Sequence, residues 1–124
     1  MTSSQFHMDR LQEDFRREIA WVIANRVRDP RIPDVVTVTE IMLAPDTRNA
    51  TVMVSIFGEE TVQKQAIDVL NKAAPFIQNV VAPRIRIKHF PRLYFKLDKS
   101  LDYRERLEGL HLTIISYREP ASYI

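Results

Sequence analysis

The 124-residue chain contains no cysteine. That excludes disulfides, thiolate metal sites and a cysteine nucleophile, and it suits a reducing compartment. Glycine is nearly as scarce: with only Gly58 and Gly109, no glycine-rich loop is available to cradle a nucleotide phosphate. No apolar run approaches the roughly 18 residues that cross a membrane, and the opening MTSSQFHMDR lacks the apolar stretch and cleavage site of a secretory leader. A cytoplasmic protein without membrane association is expected. His7, His89 and His111 have no ligand spacing, so neither a metal site nor a cofactor is indicated. The adjacent acids Glu59 and Glu60 do not face one cleft and better serve the positive end of a helix. Ser100 near Asp98 has no histidine at motif spacing.

What the chain does have is an uneven charge. Its formal net charge is only +2, yet Ala73 to Ser100 carries Arg84, Arg86, Lys88, Arg92, Lys96 and Lys99 against the single acid Asp98. From Ile32 to Pro83 the balance reverses, with Arg48, Lys64 and Lys72 against Asp34, Glu40, Asp46, Glu59, Glu60 and Asp68. Segregation of this kind suits oriented docking on a polyanion. At this length one domain spanning 1–124 is expected, burying roughly two thirds of its unfolded surface. The ordered core is expected over about 7–110, with flexible ends at 1–6 and 116–124.

Periodicity supplies the elements. Met8, Leu11, Phe15, Ile19, Val22, Ile23 and Val27 recur at helical spacing, and Asp29-Pro30-Arg31-Ile32-Pro33 ends that helix. Val35 to Leu43 is β-branched, but its alternation slips between Val38 and Ile41, which calls for a bulge near Thr39 and Glu40. After the turn Ala44 to Arg48, Ala50, Val52, Val54 and Ile56 alternate cleanly, predicting an antiparallel hairpin. Val62, Ala66, Val69, Leu70 and Ala73 form the stripe of a second helix, which Pro75 is expected to break. A third helix would then bury Phe76, Ile77, Val80 and Val81 and end at Pro83. Leu93, Phe95 and Leu97 mark a third strand, and Ser100 is placed to cap a last helix with Leu101, Leu107 and Leu110. The order αββααβ predicts an α+β fold, a three-stranded sheet with helices on one face.

That order with a basic third helix resembles the type II KH arrangement, an RNA-binding fold whose usual GxxG loop is missing here. One family of this fold has an interhelical kink on an Ala-x-Gly step instead, and Ala73-Ala74-Pro75 stands at that place. The matching words are Asp29-Pro30-Arg31, Val36-Thr37-Val38-Thr39, Asp46, Ala50 to Ser55, Leu70-Asn71-Lys72-Ala73, and Pro91-x-Leu93-x-Phe95-x-x-Asp98-x-Ser100. In order and spacing they resemble ribosome-binding factor A over roughly Met8 to Leu110. Two departures are Pro75 in place of the usual glycine and Gln78 where arginine is frequent.

The resemblance implies a non-catalytic assembly factor that binds free, immature small ribosomal subunits (30S). It implies contact with 16S rRNA, support of 5′-end maturation of that RNA, a part in cold adaptation, and release by a ribosome-associated GTPase. A monomer is expected. The alternatives are a small α+β enzyme and a protein-only adaptor. Arg84, Arg86, Lys88 and Arg92 lead the expected RNA contacts, joined by Lys96 and Lys99 from the same basic run, because phosphate contacts require only positioned cations. Arg10 and Arg17 on the first helix, and Arg28 and Arg31 beside the proline turn, extend the set. Phe90 and Tyr94 are candidate stacking platforms.

Overall fold

The computed structural model describes residues 3–100. α1 spans Ser3–Asn25, β1 Val36–Leu43, β2 Asn49–Ile56, α2 Glu60–Val81 and β3 Arg92–Leu97, with a single 3-10 turn, Ala82–Arg84, after α2. The expected helix at Ser100 lies outside the described residues. α1 begins ahead of the periodic stripe and ends where Asn25 turns its amide back onto the Trp21 carbonyl at 2.9 Å. Arg26 and Val27 close one last turn onto the Val22 carbonyl. Asp29 then accepts from both the amide and the guanidinium of Arg31, which fixes the exit that Pro30 begins.

The sheet order is β1-β2-β3. β1 and β2 form the expected antiparallel hairpin, and the register shifts between Val38 and Glu40, where the slipped alternation called for a bulge. Because of that shift, Val38 and Ile41 both reach the core. β3 runs parallel to β2, which requires a crossover, and α2 supplies it. Phe15, Ile19 and Val22 of α1, Val52, Val54 and Ile56 of β2, Leu93 and Phe95 of β3, and Leu70, Ile77 and Val81 of α2 share one core. Both helices therefore cover the same face of the sheet. The opposite face carries Thr51, Met53, Arg92, Tyr94 and Lys96.

Pro75 corrects one expectation. Ala73, Ala74 and Pro75 lie inside α2, which continues as one helix to Val81 instead of dividing into two. Proline removes the hydrogen bond to the Asn71 carbonyl. Pro75 and Asn71 are both exposed on the outer side of the helix, while Leu70, Ala74, Ile77 and Val81 keep the two halves seated on a common core. Pro83 does end the helix, sitting in the first turn of the 3-10 segment. Phe76 is the second correction: it is 43% exposed, because the buried stripe runs Leu70, Ala74, Ile77, Val81 and leaves position 76 outside it.

Candidate nucleic-acid interface

α1 and α2 bring together cations that the sequence keeps far apart. A groove of about 600 Å³ between the first half of α1 and the segment after α2 is lined by Arg10, Arg17, Arg84 and Arg86, with His7, Leu11 and Ile85 and the acids Asp14 and Glu18. Pro83 and the 3-10 turn aim this segment: Ile85 inserts into the core and leaves its neighbours Arg84 and Arg86 exposed on either side. Arg10 and Arg17 sit two turns apart on α1 and so share a face.

The four arginines are not equivalent. Arg84 Nε lies 2.7 Å from a Glu18 carboxylate oxygen, and its guanidinium sits 5.0 Å over the Trp21 ring. Arg84, a leading candidate from sequence, is thus largely spent on holding the end of α2 against α1. Arg17 keeps a loose contact with Glu13 at 3.6 Å. Arg10 and Arg86 have no ion pair among the described residues. They are the cations most available to phosphate.

The remaining candidates divide. Arg92 and Lys96 point from β3 to the opposite face of the sheet, together with Tyr94, because strand neighbours alternate and Leu93 and Phe95 take the core. Lys88 and Lys99 are exposed in the flanking loops. The basic run therefore serves two surfaces. Phe90 is not a free platform, since its ring packs edge-to-face on Phe15 at 5.1 Å, whereas Tyr94 is 45% exposed.

Arg28 and Arg31 belong to a third place, beyond the C-terminal end of α1. There a groove of about 310 Å³ is lined by Arg26, Arg28, Arg31 and Lys72 around Phe76. The single acid among its described lining residues, Asp29, is taken up by Arg31 at 2.6 Å, and that pairing pulls the Asp29 pKa down to about 2. The sequence pattern assigned Phe76 to the core and did not mark Arg26 or Lys72 as site residues. The available signal was the spacing of the α2 stripe, which puts positions 72 and 76 side by side on its solvent flank.

Gln78 has a structural task. Its side-chain oxygen accepts from the Leu93 amide at 3.2 Å, which an arginine, having no acceptor, cannot do. In this chain position 78 serves the edge of β3.

The residues so arranged match a known family. The profile of ribosome-binding factor A covers residues 7–111. The chain belongs to the ribosome-binding factor A family. Its relatives include ribosome-binding factor A of Thermomicrobium roseum, 42% identical over 85% of this chain and 81% of that protein. The Caldanaerobacter subterraneus protein of the same name is 34% identical over 89% and 90% of the respective chains. Among solved structures, the crystal structure of ribosome-binding factor A from Thermus thermophilus is similar with a TM-score of 0.64 at 29% identity, covering 72% of this chain and 93% of that one. A homology model of the Thermus protein, fitted into the cryo-EM map of its 30S complex, is similar with a TM-score of 0.59 at 29% identity, over 70% of this chain and 90% of that one. No helix among the described residues is long and apolar enough to span a membrane.

Proposed function

We propose that this chain is a non-catalytic assembly factor that binds the free, immature small ribosomal subunit and contacts 16S rRNA through the groove between α1 and the segment carrying Arg84 and Arg86. The observation that carries the reading is the convergence of Arg10, Arg17, Arg84 and Arg86 from two distant segments onto one groove in a chain whose net charge is only +2. Family membership supports it, and so does the complex of the Thermus relative with the 30S subunit. Arg84, pinned by Glu18 and Trp21, fixes the wall of the groove; Arg10 and Arg86 supply phosphate contacts that set affinity and register.

A protein that binds one folded form of an RNA shifts the population towards it. In the cold, misfolded RNA helices escape slowly, so such a shift gains value, and the same effect supports maturation of the 16S 5′ end. The protein works in the cytoplasm as a monomer, and a ribosome-associated GTPase releases it. Sucrose-gradient sedimentation of a lysate tests the reading: the protein is expected with free small subunits and absent from complete ribosomes. Sedimentation only at the top of the gradient, at low salt, contradicts it.

A further inference from the structure

We infer that the groove at Phe76 is a second RNA site, which takes one unpaired nucleotide with its base stacked on the Phe76 ring. The inference rests on the reading that the partner is RNA and adds the kind of RNA element this end of the molecule selects. Phe76 is 43% exposed beside core neighbours Ala74 and Ile77, so folding does not require its aromatic ring on the surface. Arg26 Cζ stands 5.9 Å from the ring centroid. Stacked bases are separated by about 3.4 Å, so a base seated between guanidinium and ring requires about 6.8 Å, two such separations. Arg26 is exposed in the turn just past the end of α1, and a movement of its side chain by about 1 Å opens that gap.

Charge favours a nucleotide over an apolar protein side chain. Arg26, Arg28 and Lys72 have no ion pair among the described residues, and Asp29, the only acid among the described residues that line the groove, already holds Arg31. An apolar partner would leave those three charges uncompensated. A nucleotide brings a π-face for Phe76 and phosphates for the cations, the combination on which single-strand binding proteins rely. Duplex RNA offers the phosphates but keeps its bases stacked within the helix, so the groove discriminates by strandedness.

The test is fluorescence anisotropy of the full chain with three labelled probes of equal charge: a single-stranded oligoadenylate of about eight nucleotides, an abasic strand of the same length, and a short RNA duplex. Phe76→Ala is expected to weaken oligoadenylate binding roughly 10-fold and to leave the abasic strand and the duplex unchanged. Phe76→Trp is expected to retain or tighten oligoadenylate binding. Unchanged abasic binding also shows that the Ala variant is folded. Equal affinity of wild type and Phe76→Ala for oligoadenylate overturns the inference. So does equal displacement of oligoadenylate from the wild type by polyglutamate, which would mark the groove as a site for an acidic protein segment. Failure of the wild type to bind any of the three probes overturns the inference and the RNA reading together, whereas loss of duplex binding on Arg10→Glu with Arg86→Glu, beside an indifferent Phe76→Ala, leaves the RNA reading standing alone.

Discussion

Asn71 grips Phe95 by both of its backbone groups: its side-chain oxygen accepts from the Phe95 amide at 2.8 Å, and its side-chain nitrogen donates to the Phe95 carbonyl at 3.1 Å. Among the described residues β3 is an edge strand, and its outer backbone groups are a template for unwanted pairing. α2 covers that edge with two amide side chains, since Gln78 accepts from the Leu93 amide two residues earlier. Within the segment Leu70-Asn71-Lys72-Ala73, Asn71 thus has a physical purpose. Asn71→Ala is expected to cost about 1 to 3 kcal/mol in urea unfolding and to promote self-association through β3, read by analytical ultracentrifugation. Wild-type stability and a purely monomeric variant would contradict this role.

Asp98 links the end of β3 to the bulge of β1. Its carboxylate accepts from the Thr39 hydroxyl and from the Ser100 amide, and the Thr39 bond is the main cause holding its pKa below the usual carboxylate value of 3.8. A carboxyl whose folded pKa is depressed contributes stability that is complete above the unfolded pKa and is lost as pH falls through the folded one. Stability is therefore expected to decline as pH drops below about 4, with Asp29 adding a further decline towards about 2. Asp98→Asn should flatten the first part of that curve. Urea midpoints measured from pH 7 down to pH 2.5 check it; an identical pH profile for the variant would remove Asp98 from the account.

Pro75 sits in mid-helix and costs α2 a hydrogen bond. Pro75→Ala returns an amide to the Asn71 carbonyl and is expected to stabilise the fold by about 1 to 3 kcal/mol, visible as a higher thermal midpoint. A lower midpoint would mean that the packing of Ala74 and Ile77 depends on the proline.

Thr47 adopts φ 60° in the β1–β2 turn, a left-handed conformation that a β-branched residue rarely takes. Thr47→Asn is expected to relieve about 0.5 to 1 kcal/mol, because asparagine tolerates that region and Asp46 still accepts from the Arg48 amide at 2.9 Å. Gly58, at φ 146° with Val62 close by, is the opposite case. Gly58→Ala should destabilise, and differential scanning calorimetry on the two variants should show shifts of opposite sign.

The elements that local pattern controls were readable in the sequence. The slip in parity between Val38 and Ile41 announced the bulge, and the alternation of Leu93, Phe95 and Leu97 announced β3. Reading failed where distant segments decide. Nothing near Arg84 indicates that Glu18 and Trp21, far earlier in the chain, occupy its guanidinium. The continuity of α2 through Pro75 depends on the core beneath it, which outweighs the local preference of proline. The grouping of Arg26 and Lys72 around Phe76 likewise exists only once α1 and α2 pack together.

The central claim is that phosphate binding is concentrated in the groove between α1 and the segment carrying Arg84 and Arg86, and the most direct measurement is the salt dependence of binding to purified free small subunits. If about four phosphates are neutralised, log affinity should fall against log salt with a slope of roughly −3 to −4. Reversing Arg10 and Arg86 to glutamate should weaken binding at every salt concentration and make the slope shallower by about 2, while leaving the thermal midpoint within a few degrees. Reversing Arg92 and Lys96 on the opposite face of the sheet should do less. A wild-type slope near zero, or equal losses from the two double variants, would contradict the account.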